Sequence, residues 1–300
     1  MNLNEILAWS FFCFFILILL SIYVANLKSY QIVDPKYRRA PVTITPEDFK
    51  LAYEKIFFNS SDSVELSGWY VPATNGDSEK TIIICHGWGS NKGEILKDTY
   101  FLAEHGFNLF YFDFRGSGES KTSKFVSLGY FEIRDLEGAI KFLENFKSEE
   151  AKNIYLYGCS MGGAVVLYAA AHNPKVKAVL AESVFLSFKS VIKNWSWHRL
   201  KVPYFPMVMM TSFFVKMKLK VDPELYSPLG NLDKIHIPVL FIHGENDDLV
   251  SELEADTIFR LCASDKKEKW RVKNASHAKC PEVAGEYFKD KVLSFYNSVK

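Results

Sequence analysis

One serine lies between glycines at the junction of a predicted strand and a predicted helix. Asn153–Tyr157 is an apolar run typical of a buried strand, and it leads directly into Gly158-Cys159-Ser160-Met161-Gly162-Gly163. The glycines two residues before and after Ser160 leave room for a strained turn that raises its hydroxyl above a sheet. The helix that follows adds partial positive charge, which favours an anion. The pattern predicts that Ser160 is a nucleophile.

A serine hydroxyl reacts only when a base accepts its proton, and the later sequence offers a base and a partner for it. His277 follows the last predicted strand, and Asp247 follows the strand before it. The carboxyl ends of parallel strands meet at one edge of a sheet, so both side chains are expected beside Ser160. We predict a catalytic triad of Ser160, Asp247 and His277. Asp248 and, more remotely, Glu245 are alternatives to Asp247 as the acid.

Acyl transfer also needs backbone N–H groups that hold the developing oxyanion. One candidate is the N–H of Met161, the residue after the nucleophile. The other lies in the loop after the predicted strand Thr81–Cys85, which reads His86-Gly87-Trp88-Gly89. The backbone N–H of Trp88 is our second predicted donor. Its indole could also serve simply to close one side of the pocket, and the two roles are compatible because the donor is main-chain.

Short apolar runs alternate with helical patterns through most of the chain. The predicted strands are Lys55–Asn59, Val64–Pro72, Thr81–Cys85, Asn108–Phe112, Asn153–Tyr157, Val176–Ala181, Pro238–Ile242 and Lys269–Val272. The predicted helices are Glu94–His105, Tyr130–Phe146, Met161–His172, Glu252–Cys262 and Pro281–Val299. Strands that are apolar on both faces and separated by helices predict an α/β fold, with a mostly parallel sheet covered by helices on both sides.

The first part of the chain predicts a transmembrane helix. Residues 6–27 carry no charge and are rich in Leu, Ile and Phe, and about 20 such residues cross a bilayer. A cleaved signal peptide is the alternative, but no Lys or Arg precedes the stretch and Tyr23-Val24-Ala25 is a poor cleavage site. Four basic residues follow it: Lys28, Lys36, Arg38 and Arg39. They predict that the chain after residue 27 lies in the cytoplasm.

The composition excludes several classes of function. Lys and Arg number 36 against 35 Asp and Glu, so the net charge of +1 gives no reason to expect nucleic-acid binding. None of the five cysteines belongs to a C-x-x-C pair, and zinc-finger spacing is absent. The sequence contains neither a dinucleotide fingerprint nor a P-loop. We therefore expect neither a cofactor nor a metal.

Together, these motifs resemble the α/β-hydrolase superfamily. Within it, the chain is similar to the serine-aminopeptidase-like and prolyl-oligopeptidase-like group of membrane-anchored hydrolases. The matching segments are residues 86–91, 113–120, 158–163, 227–228 and 238–247, and the resemblance covers about residues 55–298. It implies an α/β-hydrolase fold and serine hydrolase activity, and it gives residues 113–120 a structural role. The order Ser, Asp, His along the chain is the order of this superfamily.

We therefore predict three parts of the chain: a transmembrane anchor at residues 1–27, a linker at 28–50 and an α/β-hydrolase domain at 51–300. The stretch between Ser183 and Ile237 is far longer than an ordinary loop, which predicts a small helical cap inserted at about residues 184–236. Its Trp and Tyr residues are interleaved with Lys and Arg, as in segments that lie at a membrane surface. The cap is either a lid that docks on the bilayer over an acyl pocket or a plain cover of the sheet.

Three functions are consistent with the sequence. The first is a membrane-bound serine esterase that cleaves carboxylic esters of small molecules or lipids, including acylglycerol types, through an acyl-enzyme. The second is a serine peptidase or aminopeptidase of the prolyl-oligopeptidase-like type. Such relatives typically carry a large domain that selects peptides, which these 300 residues do not show, so we expect esters. The third is an inactive membrane scaffold, against which the complete triad argues.

Overall fold

A computed structural model describes residues 2–122 and 124–299, and a sheet of eight strands lies at its centre. The strands are β1 (Glu54–Asn59), β2 (Glu65–Val71), β3 (Lys80–Cys85), β4 (Asn108–Phe112), β5 (Asn153–Cys159), β6 (Val176–Glu182), β7 (Val239–Gly244) and β8 (Lys267–Val272). Their order across the sheet is β1-β2-β4-β3-β5-β6-β7-β8. Strand β2 is antiparallel to both of its neighbours, and the other pairs are parallel. The mostly parallel sheet predicted from the sequence is confirmed.

Helices cover both faces of the sheet. They are α1 (Leu3–Val33), α2 (Lys92–Thr99), α3 (Tyr130–Phe146), α4 (Met161–His172), α5 (Phe188–Trp195), α6 (Met209–Leu219), α7 (Glu252–Leu261), α8 (Cys280–Ala284) and α9 (Glu286–Ser298). Two predicted helices are divided. The helix predicted at Glu94–His105 is α2 up to Thr99 and a 3-10 segment from Tyr100 to His105. The helix predicted at Pro281–Val299 breaks at Gly285, where φ is +53°.

The apolar strand sequences reflect two separate hydrophobic cores. In β3, Ile83 and Cys85 belong to the core on one face, whereas Ile82 and Ile84 belong to the core on the other. Successive side chains of a strand point to opposite faces, so a strand between two helical layers is apolar at every position. The same arrangement aligns the carboxyl ends of the parallel strands at one edge, where the loops that carry the candidate site emerge.

Helix α1 has a free part and a packed part. Among the described residues, it alone is long and apolar enough to cross a membrane, and its most apolar stretch is exposed throughout. Near its C-terminus, by contrast, four residues are buried against the rest of the chain: Ala25, Ser29, Ile32 and Val33. Such a helix fits a span that leaves the bilayer and then packs on the domain that follows.

The predicted linker at residues 28–50 needs correction at its start, because α1 continues to Val33 and packs against α6. The Lys218 ammonium of α6 donates hydrogen bonds to Asn26 Oδ1 (2.6 Å) and Ser29 Oγ (2.7 Å). The sequence hides this because residues 28–31 are mainly polar and only Ile32 and Val33 follow, which are too few positions to show a helical period. Tertiary contacts, rather than local pattern, extend the helix.

The insertion predicted at residues 184–236 is helical. It contains α5 and α6 joined by two wide turns, Ser196–Leu200 and Tyr204–Val208, and it ends in three short 3-10 segments. Along α6, Thr211, Val215 and Leu219 are buried, whereas Met209, Phe213 and Met217 are exposed. The exposed set recurs every four residues, so it forms one apolar stripe on the surface of this cap.

Candidate active site

Ser160 occupies a strained turn between β5 and α4. Its φ of +54° and ψ of −113° are rarely adopted by a residue with a side chain. A Cβ at Gly158 would lie 2.3 Å from Gly162 O, and one at Gly162 would lie 2.1 Å from Cys85 O. Only glycine fits at these two positions, as the sequence pattern predicts. The turn leaves the Ser160 hydroxyl at the carboxyl edge of the sheet and at the N-terminus of α4.

The loops after β7 and β8 bring the two predicted partners to Ser160. His277 Nε2 lies 2.9 Å from Ser160 Oγ, and His277 Nδ1 lies 2.8 Å from Asp247 Oδ2. The other carboxylate oxygen, Asp247 Oδ1, accepts hydrogen bonds from the N–H groups of Leu249 and Val250 at 2.9 Å each. With its Nδ1 proton donated to Asp247, the imidazole presents a free Nε2 to the Ser160 hydroxyl. Ser160 and His277, which are 117 positions apart in the sequence, thus form one hydrogen-bonded chain with Asp247.

The two alternative acids lie elsewhere. Asp248 is partly exposed and pairs with the cap residue Arg199 at 3.4 Å. Glu245 accepts a hydrogen bond from the N–H of Asn274. The side chain of Asp247, in contrast, is fully buried against His277. Of the three carboxylates left open by the sequence, Asp247 is the one that contacts the imidazole.

The loop after β3 lies against the nucleophile. A Cβ at Gly87 would lie 3.5 Å from Ser160 Cβ, so the backbone of this loop passes directly beside the serine. Within residues 2–122 and 124–299, the N–H groups of Trp88 and Met161 donate to no backbone carbonyl. Both amides are therefore without a backbone acceptor beside Ser160, and their role as oxyanion donors stays a prediction.

His86 holds this loop in place, a role that the sequence analysis missed. Its Nε2 accepts a hydrogen bond from the N–H of Phe114 (3.1 Å), and its Nδ1 donates to Gly87 O (2.7 Å). The ring is fully buried, and burial lowers its pKa, so it stays neutral and can accept at one nitrogen while it donates at the other. The run His86-Gly87-Trp88-Gly89 contained a signal for this role, because a histidine next to a buried strand needs hydrogen-bond partners for both ring nitrogens.

Glu182, at the end of β6, is a second residue that the sequence analysis missed. Its backbone carbonyl accepts a hydrogen bond from the N–H of Ser160 (2.8 Å), and its carboxyl accepts one from the Tyr157 hydroxyl (2.5 Å). Burial raises the pKa of Glu182 to about 7. The next residue, Ser183, accepts from the N–H of Ala278, beside His277. The end of β6 thus supports both Ser160 and the loop of His277. The sequence contained a signal for this role, because Glu182 follows an apolar strand directly.

The segment between β4 and α3 is held by buried ion pairs. Lys92 and Asp113 are both fully buried and meet at 2.7 Å, and Arg115 lies 2.6 Å from Asp135. Lys92 also pairs with Glu119 at 2.7 Å. Breaking a buried pair leaves an uncompensated charge, which is strongly destabilising. These contacts agree with the structural role that the resemblance implied for residues 113–120.

The cysteine beside Ser160 has the wrong protonation state for a nucleophile. Burial, together with the nearby Glu182 carboxyl, raises the pKa of the Cys159 thiol far above its ordinary value. A thiol reacts as the thiolate, so this raised pKa argues against Cys159 as the nucleophile. The described part of the chain also contains no cluster of three or more His, Cys, Asp or Glu that could hold a metal ion.

Ser160 lines two cavities that differ in the charge of their walls. One, here called the polar cleft, has a volume of about 250 Å³ and charged walls. Its charged residues are Glu94, Lys97, Asp98, Lys279 and Glu282. The other, here called the apolar chamber, measures about 130 Å³ and contacts both Ser160 and His277. Its apolar walls include Ile32, Leu128, Phe185, Ile192 and Trp195. The site can therefore hold a substrate with one polar and one apolar part.

Comparison with known families and sequences finds similarity to a serine aminopeptidase family, to a bacterial protein and to a yeast membrane protein. The family model described as serine aminopeptidase, S33, matches residues 76–223. The Bacillus subtilis protein YqkD is 29% identical over 215 residues, which cover 67% of this chain and 70% of YqkD. The membrane protein YNL320W of Saccharomyces cerevisiae is 27% identical over 270 residues, or 86% of this chain and 87% of its own. This relative and the exposed helix α1 both indicate association with a membrane.

Solved structures give the same result for the fold. The Pyrococcus furiosus esterase Pf2001 superposes with a TM-score of 0.74 at 26% identity, over 87% of this chain and 98% of the esterase. The acylaminoacyl peptidase of Pyrococcus horikoshii matches with a TM-score of 0.64 at 16% identity, over 84% of this chain and 43% of its own length, which shows a shared fold. The sheet order, the strained serine turn and these similarities agree: the chain has an α/β-hydrolase fold.

Proposed function

We propose that this protein is a serine ester hydrolase held at a membrane, which cleaves carboxylic esters through an acyl-enzyme. The observation that carries the proposal is the hydrogen-bonded chain from Ser160 Oγ to His277 (2.9 Å) and from His277 to Asp247 (2.8 Å). Both distances lie within the reach that proton transfer requires. The strained turn at Ser160 and the free amides beside it supply the remaining parts of acyl-transfer chemistry.

In the proposed reaction, Ser160 Oγ forms a bond to the ester carbonyl carbon while its proton passes to His277 Nε2. The carbonyl oxygen becomes an oxyanion that the N–H groups of Trp88 and Met161 stabilise. When the intermediate collapses, the bond to the alcohol oxygen breaks, and His277 returns the proton to that oxygen. Water then repeats the sequence on the acyl-enzyme and releases the carboxylic acid. Asp247 orients the imidazole and stabilises its charged form.

The two cavities support esters with an apolar acyl group, including lipid and acylglycerol types. The apolar chamber adjoins Ser160 and is lined by aliphatic and aromatic side chains, which favour a hydrocarbon. The polar cleft on the other side offers charged groups to an alcohol. The similarity to an esterase structure points in the same direction.

A second candidate is hydrolysis of aminoacyl or peptide substrates. Carboxylates of the polar cleft favour it, because Glu94, Asp98 and Glu282 could bind a substrate amine near Ser160. Burial raises the pKa of Asp98 to about 6, and an ammonium group beside it would favour its charged form. The family description as a serine aminopeptidase also supports this candidate.

For the location of the enzyme, we propose that α1 anchors the chain with the hydrolase domain in the cytoplasm. Basic residues follow the apolar stretch and none precedes it, which supports this orientation. The exposed stripe of Met209, Phe213 and Met217 supports docking of the cap on the bilayer surface. Each proposal about the membrane is independent of the chemistry at Ser160.

A substrate panel tests these candidates in the full-length protein reconstituted in lipid nanodiscs. Acyl esters of several lengths, aminoacyl amides and short peptides are compared by kcat/KM for the wild type and Ser160→Ala. The matched control is Ser78→Ala, a serine before β3 at the opposite edge of the sheet. Ester turnover lost only in Ser160→Ala supports the leading proposal, and faster amide turnover supports the second candidate. Absence of both ester and amide turnover in the wild type would leave an inactive scaffold.

A further inference from the structure

A third cavity lies between the membrane helix and the cap, outside the site described so far. It measures about 230 Å³, and its surface is mostly apolar, although Lys28, Gln31 and Arg38 also line it. We call it the outer cavity, and its walls include Val24, Ile32, Ile192, Trp195, Met207 and Thr211. Helix α1 thus provides one side of this space, and the cap provides the other.

The outer cavity adjoins the apolar chamber beside the nucleophile. Ile32 of α1 and Ile192 and Trp195 of α5 line both spaces. The apolar chamber in turn contacts Ser160 and His277. These shared side chains border both spaces, and side chains change rotamer far faster than an enzyme turns over. A continuous apolar passage is therefore available from α1 to the site of chemistry.

The far end of the passage lies where the span leaves the bilayer. From Leu3 to Val24, α1 is largely exposed and about 33 Å long at about 1.5 Å per residue, close to the thickness of a hydrocarbon core. Burial of α1 begins at Ala25, one residue after Val24 enters the wall of the outer cavity. Lys28 lies at the same cavity and is a side chain suited to the interface.

The surface around this end is apolar as well. The stripe of Met209, Phe213 and Met217 is roughly half exposed on α6, the helix that packs on α1. Trp197 and Leu200, in the turn after α5, are also about half exposed. An exposed apolar surface beside a membrane span is the kind that lipid covers.

We propose that α1 is a wall of the substrate site as well as an anchor, and that an acyl chain reaches Ser160 sideways from the bilayer. The inference rests on the proposed ester hydrolysis. One acyl chain runs through the outer cavity and the apolar chamber, its ester carbonyl meets Ser160, and its polar alcohol occupies the polar cleft. Together the two apolar spaces fall near the lower end of the usual range of about 300–1,000 Å³ for ligand sites. The substrate class is therefore an ester with a single long acyl chain.

A photoreactive inhibitor tests the route in the full-length protein in nanodiscs. The probe is a long-chain alkyl fluorophosphonate with a diazirine near the end of its chain. Ser160 Oγ bonds to the phosphorus and displaces fluoride, after which light should crosslink the chain end to peptides that contain residues 24–32 or 207–211. Crosslinks confined to the polar cleft, such as at Lys97 or Glu282, would overturn the passage while the proposed chemistry stands. Absence of bonding at Ser160 would instead overturn the proposed function and this inference with it.

A pair of substitutions on one helix provides an independent test. Ile32→Trp narrows the passage, and Ile22→Trp makes the same change on the exposed part of α1 as a control. The ratio of kcat/KM for a palmitoyl ester to that for a butyryl ester should fall about tenfold or more in Ile32→Trp, because a filled pocket rejects added methylenes. The control should keep the wild-type ratio. An unchanged ratio in folded Ile32→Trp would contradict the role of α1.

Met207→Trp keeps the test informative if Ile32→Trp does not fold. Met207 is half-buried and lines the outer cavity without contacting Ser160. Filling this more distant space should lower turnover of palmitoyl esters relative to octanoyl esters about fivefold. Equal turnover ratios in Met207→Trp and the wild type would count against the outer cavity as the seat of the chain end.

Discussion

The guanidinium of Arg38 lies over the indole ring of Trp88. Arg38 follows the membrane helix by five residues, and the backbone of Trp88 carries one of the proposed oxyanion donors. Burial lowers the pKa of Arg38 to about 9, so this cation has lost much of its hydration to reach the ring. The segment after α1 is thereby joined to the loop after β3.

Replacing Arg38 by Ala should therefore slow the enzyme. A partly desolvated cation–π contact contributes about 1 kcal/mol, which corresponds to about fivefold in kcat if the loop loses its alignment. The measurement is kcat for a short ester, with Arg39→Ala as the neighbouring control. Equal kcat for Arg38→Ala and the wild type would show that Trp88 needs no support from this residue.

The identity of the acid can be tested with two adjacent substitutions. Asp247→Asn should lower kcat by about 10⁴-fold, because the imidazole loses the partner that fixes its tautomer. Asp248→Asn should leave kcat within about twofold, since Asp248 pairs with Arg199 at the surface. Steady-state kinetics of both variants decide the assignment. The opposite pattern would show that the turn rearranges and that Asp248 is the acid.

Stability should depend on the ionisation of Glu182. Its pKa in the folded protein is about 7, raised by burial from an ordinary value of about 4.5. An acid whose pKa is raised in the folded state binds more protons there than in the unfolded state, so the protein loses stability as pH rises from about 4.5 to 7. Glu182→Gln removes the contribution of this group to the pH dependence of stability, because an amide does not ionise.

The measurement for Glu182 is the difference in Tm between pH 5 and pH 7.5. This difference should be smaller in Glu182→Gln than in the wild type, and the exposed substitution Glu104→Gln should leave it as it is. Asp135, whose pKa burial raises to about 7, contributes in the same direction, so part of the difference should persist. A difference that is the same in Glu182→Gln and the wild type would mean that Glu182 titrates normally.

The proposed orientation predicts that the hydrolase domain is protected from a protease outside the cell. Protease added to intact cells should leave the hydrolase domain uncut, and the protein should stay in the membrane pellet after a carbonate wash. Permeabilised cells serve as the control for protease activity. Digestion in intact cells would reverse the orientation, and release by carbonate would show that α1 does not span the bilayer.

The elements that local patterns encode could be predicted from the sequence. The apolar runs and the glycines around Ser160 defined the sheet and the strained turn, because each pattern has one physical cause. The choice between Asp247 and Asp248 needed coordinates, since a shift of one residue in a loop reverses the direction of a side chain. His86 and Glu182 were missed because their roles depend on backbone groups of distant segments.

The ends of α1 and of the last helix show the same limit. Helix α1 extends to Val33 because Ser29 and Ile32 pack on the domain, and no periodic pattern marks that contact. The last predicted helix divides at Gly285, where a single residue adopts a positive φ. The contact between Arg38 and Trp88 joins residues 50 positions apart, and neither residue type by itself indicates the other.

The central claim is that Ser160 is the nucleophile of an acyl-enzyme, and one labelling experiment tests it most directly. The full-length protein in nanodiscs is treated with an alkyl fluorophosphonate, and the modified peptide is identified by mass spectrometry. We expect a single adduct on Ser160, loss of ester turnover in step with labelling, and no adduct in His277→Ala, where the serine lacks its base. An adduct on another serine, or full ester turnover in Ser160→Ala, would contradict the proposed mechanism.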